Sequence, residues 1–265
     1  MSTEKDAPLT SRAAFGWRVF ALGVIALALV SLAFGDFDSG QPVPKAFPDR
    51  TVLAYIADAL MLVAGAAMLW RRTAPWGAAA LGTYYGFVVV VLMYGRLLIA
   101  HDADFGVYSG LAEPSAIAAG ALIVYAANAK IDPARAARLT RVARVVFGVC
   151  ALLFGAAHFV YLDLTTPLVP KWLPPSQLFW AYATGVAHIA AGLAILTGVR
   201  ARLAAILLTV MYASFTPLVH LPMLLADQSS HFIWSENALN LTLTGIAWVV
   251  ADSLAPRRAP PRERR

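Results

Sequence analysis

The chain of 265 residues is 60% hydrophobic and only 14% charged, with a mean hydropathy of +0.67. So little polar surface cannot cover a water-soluble core, which excludes a soluble globular protein and implies a membrane protein. The net charge of +6 reads as a topology signal and an attraction for anionic lipid headgroups, with no nucleic-acid partner implied.

In chain order, residues 1–14 form a charged tail without apolar periodicity, expected to be disordered. Eight apolar stretches follow, at 15–34, 51–69, 76–98, 114–129, 142–161, 177–196, 203–225 and 235–251. Nearly all are long enough to cross a hydrocarbon core of about 30 Å at about 1.5 Å per residue. Residues 130–141, with Lys130, Asp132, Pro133, Arg135, Arg138 and Arg141, read as a polar linker, and residues 254–265 as a basic tail. The first stretch lacks the small-residue cleavage site of a signal peptide and is expected to be retained. Cys150, the single cysteine, excludes an intrachain disulfide and a CxxC redox pair.

The two halves repeat each other. Val43-Pro44-Lys45 returns as Val169-Pro170-Lys171, followed by Pro48 and Pro174, and Ala54-Tyr55, Gly65 and Tyr85 align with Ala181-Tyr182, Gly192 and Tyr212. A fixed offset of this kind marks an internal duplication. The fold class expected is therefore all-α: a polytopic membrane protein of eight transmembrane helices, arranged as one four-helix unit at 15–129 and a second at 142–253. An even helix number per unit makes the repeats parallel instead of inverted. Seventeen of the 21 lysines and arginines fall in the two tails and in the even-numbered loops or beside them; Lys45, Arg50, Arg96 and Lys171 are the exceptions. Cytoplasmic loops collect such residues, so both termini are expected to be cytoplasmic.

Polar side chains inside a membrane are costly, so each is a candidate for function. The second unit holds most of them. His158 is expected in the outer half of the fifth span, His188 near the middle of the sixth, and His220 late in the seventh between Pro217 and Pro222. Glu236, Asn237 and Asn240 open the eighth. His231 falls in a loop and is expected to be solvated. The first unit has Met61 where the second has His188, and keeps only Asp58 and Glu113, so it reads as scaffold. Prolines in the seventh span free backbone carbonyls that need other donors. Trp172, Trp180 and Trp234 suit interfacial anchors at one end, Trp17, Trp70 and Trp76 at the other. Lys171, Trp172, Trp180 and Tyr182 are placed to line the mouth of an outer pocket with His220, Asn237 and Asn240. No histidine pair has the spacing that puts two ligands on one helix face, so neither a metal nor a haem is expected.

Gly155-Ala156-Ala157-His158-Phe159, Val169-Pro170-Lys171-Trp172-Leu173-Pro174, Gly185-Val186-Ala187-His188 and Gly192-Leu193, with a basic turn at Arg200 and Arg202, together resemble the DoxX-like family of bacterial four-helix membrane proteins. The resemblance covers about residues 144–253, and 18–129 as a degenerate copy. It implies a four-helix bundle per unit, a bacterial inner-membrane location, and an association of some members with thiosulfate or thiol oxidation coupled to the quinone pool. Members often carry a carboxylate where His188 stands; an imidazole there would titrate nearer neutrality. The function expected is an accessory subunit of a membrane redox system that holds a quinone or small sulfur compound, with His188, His158 and Glu236 as the chemical groups. Electrons would come from a partner redox subunit, since the chain shows no redox centre of its own. The alternatives are a small-molecule or lipid carrier and a non-catalytic scaffold.

Overall fold

The computed structural model describes residues 13–256, and among these there is no strand. The tails expected to be disordered lie mostly outside the described residues. The long helices are α1 (Ala13–Phe34), α2 (Arg50–Met68), α3 (Ala74–Ala100), α4 (Phe105–Asn128), α5 (Pro133–Val160), α6 (Gln177–Thr197), α7 (Ala201–Ala226) and α8 (His231–Ser253). Seven of them, α1 to α7, are long and apolar enough to cross a membrane. Apolar side chains such as Val63, Ile99, Val186 and Val210 point outward from them, as a lipid-facing surface requires.

Helix starts follow cap chemistry more closely than hydropathy. Asp104 accepts from the Gly106 amide at 2.7 Å, so α4 begins nine residues before the expected start and contains Pro114 within it. Asp132 accepts from the Arg135 amide at 2.9 Å, with Pro133 in the first turn. Most of the expected 130–141 linker is therefore the first turns of α5. Ser176 and Ser230 cap α6 and α8 through the Phe179 and Ile233 amides. Each cap gives an otherwise unpaired first-turn amide an acceptor. His231, expected in a loop, is instead the first residue of α8 and stacks on Phe34 with ring centroids 4.7 Å apart.

Helices adjacent in sequence pack on one another from α1 to α8, and α8 closes the arrangement by packing on α1 and also touching α4. The α1–α8 crossing is the most extensive contact. It is possible because glycine stands where a side chain would collide: a Cβ at Gly23 would lie 2.5 Å from the Thr242 amide nitrogen, and one at Gly245 would overlap the Phe20 backbone. Small residues at such crossings let backbones approach and gain van der Waals contact where no hydrophobic effect operates. Most of α8 is buried, which is why it tolerates Ser235, Asn240, Thr242 and Thr244. The Thr242 and Thr244 hydroxyls donate to the carbonyls of Ala238 and Asn240, each at 2.8 Å.

Both α3 and α7 widen into π-helical turns, over Tyr84–Tyr94 and Thr216–His220. At the other end of the bundle, Arg144 bonds to the Ser253 hydroxyl at 3.0 Å and also to the Ser253 carbonyl, tying α5 to the end of α8.

Gly245→Ala is expected to lower stability by about 3 kcal/mol, because the Phe20 backbone cannot yield to an added methyl. Gly95→Ala, with open space at the Cβ position, is expected to leave it unchanged. Thermal unfolding in mild detergent separates the two; equal midpoints would contradict the α1–α8 crossing.

Candidate functional site

Between the end of the bundle that carries the two Val-Pro-Lys loops and its middle lie two polar centres, one in each half of the chain. In the second half, Gly155 of α5 and Gly185 of α6 bring two histidines together. A Cβ on Gly185 would lie 2.9 Å from the His158 Cβ, so α6 must pass close to α5 at this level. The His158 and His188 rings then sit with centroids 5.0 Å apart, and the Tyr212 ring of α7 lies 5.4 Å from His188. His188 is 2% exposed, whereas His158 is only partly buried and forms the accessible side of the pair.

Each ring bonds within its own helix. His188 Nδ1 meets the Thr184 carbonyl at 2.8 Å, and His158 Nδ1 meets the Phe154 carbonyl at 2.9 Å. A carbonyl only accepts, so Nδ1 carries the proton in both rings, and Nε2 of the neutral imidazole is an acceptor. Two such nitrogens are thus oriented from one level of the bundle. The Tyr212 hydroxyl beside them is buried, with no hydrogen-bond partner among the described residues.

An apolar cleft of about 220 Å³ opens between α4 and α5, lined by Leu111, Ser115, Val145, Val149 and Leu153, with Cys150 among its walls. Cys150 is buried and close enough to act electrostatically on Tyr212.

The remaining candidates separate. Asn240 donates to the Tyr212 carbonyl at 3.0 Å and to the Thr216 hydroxyl at 2.8 Å. Asn237 donates to the His220 carbonyl at 3.0 Å. These two amides supply the donors that the proline-containing stretch of α7 was expected to need. His220 is partly buried, and its Nδ1 has no hydrogen-bond partner among the described residues. Lys171 and Trp172 are exposed, Tyr182 faces outward against Phe159 with ring centroids 5.7 Å apart, and the Trp180 indole donates to the Pro174 carbonyl at 2.8 Å. Glu236 turns toward the first half, where the Ser39 hydroxyl donates to its Oε1 at 3.4 Å.

The first-half centre is the one that sequence reasoning missed. Asp38, in the loop between α1 and α2, accepts from the Gly40 amide at 2.8 Å and from the Gln41 amide group at 2.5 Å, with the Tyr85 hydroxyl at 3.5 Å. Gln41 in turn accepts from Tyr84 at 2.8 Å and donates toward Met61 Sδ at 3.3 Å. Burial pushes the Asp38 carboxyl up to about 6, against these hydrogen bonds that pull it down. The signal available in the sequence was the pair of tyrosines at 84 and 85 with Asp58 on the preceding span. Asp38 and Gln41 fall between apolar stretches and read as loop.

Among the described residues no group of three or more histidine, cysteine or carboxylate side chains is arranged to hold a metal ion. Residues 147–251 match the model of a domain of unknown function (DUF8561). The matched segment contains His158, His188, Tyr212 and Asn240. No curated protein and no solved structure matches the chain.

Asn240→Ala leaves the Tyr212 carbonyl and the Thr216 hydroxyl without this donor and is expected to cost about 1 kcal/mol. Asn240→Leu, which keeps a similar volume and removes every donor, should cost at least as much. Unfolding midpoints equal to that of the parent protein would contradict the role of α8 in satisfying α7.

Proposed function

We propose that the protein is a multi-pass membrane protein with eight spans in two parallel four-helix units, both termini on the arginine-rich, cytoplasmic side, and that it serves a bacterial inner-membrane redox system as an accessory subunit. The burial of α8 supports the eighth span: its polar groups face α1, α4 and α7 and so need not meet lipid. The π-helical turns at corresponding places in α3 and α7 support the duplication.

The observation that carries the functional reading is the paired imidazoles with acceptor nitrogens beside a buried, unpartnered tyrosine hydroxyl. Two bare acceptors suit a ligand that presents hydroxyl or thiol donors, as a quinol or a small thiol does. Oxidation of a quinol releases two protons and two electrons. His158 and His188 are placed to take the protons as general bases, with the electrons leaving to a partner redox subunit. The cleft between α4 and α5 offers an apolar bed for an isoprenoid tail. The resemblance to DoxX-like proteins points the same way. Glu236, turned toward Ser39, has no part in this reading. Lys171 and Trp172 remain as surface attraction for an approaching anion or headgroup.

The test is extraction and mass spectrometry of protein purified from membranes in mild detergent, beside His188→Ala and His158→Ala. A quinone co-purifying with the parent protein and reduced about tenfold in either variant is expected, the change that corresponds to one lost hydrogen bond of about 1.4 kcal/mol. No quinone or thiol in any preparation, with all three equally stable, would overturn the reading in favour of a scaffold.

A further inference from the structure

The first-half centre holds a chemistry that the histidine site does not use. Asp38, Asp58, Glu113 and Glu236 converge on the Val-Pro-Lys end of the bundle. Asp38 and Glu113 flank Gly40, where a Cβ would lie 3.0 Å from Asp38 Oδ1 and 3.6 Å from Glu113 Oε2. Glu236 joins them through Ser39 and stands within electrostatic reach of both Glu113 and Asp38. Tyr84, Tyr85 and Tyr94 complete the surroundings. Among the described residues no salt bridge joins a lysine or arginine to any of the four, and Arg50 at the start of α2 is engaged by Asp36.

Asp58 sets this cluster apart from a solvated acidic face. It is 0% exposed, it lies within electrostatic reach of Asp38, and neither of its carboxylate oxygens meets a donor among the described residues. Asp38, by contrast, is served by Gly40, Gln41 and Tyr85. A buried carboxylate without donors costs several kcal/mol and is stabilised by an external positive charge. Met61, three residues after Asp58 on α2, meets Gln41 and Tyr85 at 3.3 and 3.5 Å, and both of these bond to Asp38, so the Asp38 carboxylate, the Gln41 carbonyl and the tyrosine hydroxyls are the oxygens on offer at this level. Met61 Sδ, the one soft atom here, is already approached by Gln41 and Tyr85. An all-oxygen set with two carboxylates suits a hard cation over a transition metal.

We propose that Asp58 and Asp38 form a binding site for a small hard inorganic cation, alkali or alkaline-earth, with Gln41 and the Tyr84 and Tyr85 hydroxyls as neutral oxygen partners and with Glu113 and Glu236 as its acidic entrance. Protons compete for the same carboxylates, so occupancy falls as the pH is lowered. Because Glu236 belongs to α8 and Asp58 to α2, the cation also draws the two halves together at this end.

The test is thermal unfolding of the full chain in mild detergent, with sodium, potassium or calcium chloride replacing choline chloride at constant ionic strength. One of the three cations is expected to raise the midpoint saturably, by about 2 to 4 °C at tenfold excess over its dissociation constant. The rise should shrink between pH 7.5 and pH 5, a range chosen to bracket the Asp38 value of about 6, and be lost in Asp58→Asn. If Asp58→Asn does not yield folded protein, equilibrium dialysis of the parent protein with radiolabelled sodium and calcium decides, with saturable, acid-sensitive binding expected. The proposal is overturned if no cation differs from choline, if Asp58→Asn keeps the full response, or if dialysis shows no saturable binding.

Discussion

The crossing of α1 and α8 is the constraint on which the rest of this structure depends. Lipid tails are as apolar as leucine, so helices in a membrane are held by close packing and by polar bonds, not by burial from water. At Gly23 and Gly245 the backbones of the first and last helices meet Thr242 and Phe20 at distances no side chain would permit. That approach closes the chain-order succession of helices on itself, buries polar groups of α8, and brings Glu236 to Ser39 of the opposite half.

The two halves of the chain hold centres with different chemistry. Met61 and Tyr85 of the first half stand where the second half has His188 and Tyr212. In the second half the imidazoles turn their protons to their own helix carbonyls, which leaves acceptors for a ligand with donors. In the first half, Met61 takes contacts from Gln41 and Tyr85, and the charge is carried instead by Asp38 and Asp58. At these positions one half therefore presents imidazole nitrogens and the other buried carboxylates.

Much of the fold was legible in the sequence because membrane helices write their length and apolarity directly into the chain. Helix positions at α1, α2 and α6 agree with hydropathy to within a few residues. The starts of α4, α5 and α8 do not, since Asp104, Asp132 and Ser230 extend each helix into polar sequence that a hydropathy reading discards. At the site, the nearness of His158 and His188 follows from the glycines at 155 and 185, which the chain displays openly. The direction of Glu236 does not follow, because it depends on a contact between halves nearly two hundred residues apart. The first-half centre was hidden for a related reason: Asp38 and Gln41 lie in a loop, and only the folded chain shows that loop buried against Tyr84 and Tyr85.

The central claim is that the two halves form one bundle in which Glu236 meets the loop carrying Ser39. The direct measurement is a Ser39→Cys, Glu236→Cys pair in a Cys150→Ala background, with a protease site inserted between Ala129 and Asp132 and a short bifunctional thiol reagent applied before cleavage. This account predicts that the cleaved halves stay covalently joined within one molecule. Halves that separate on denaturing electrophoresis, despite full labelling of both cysteines, would contradict it.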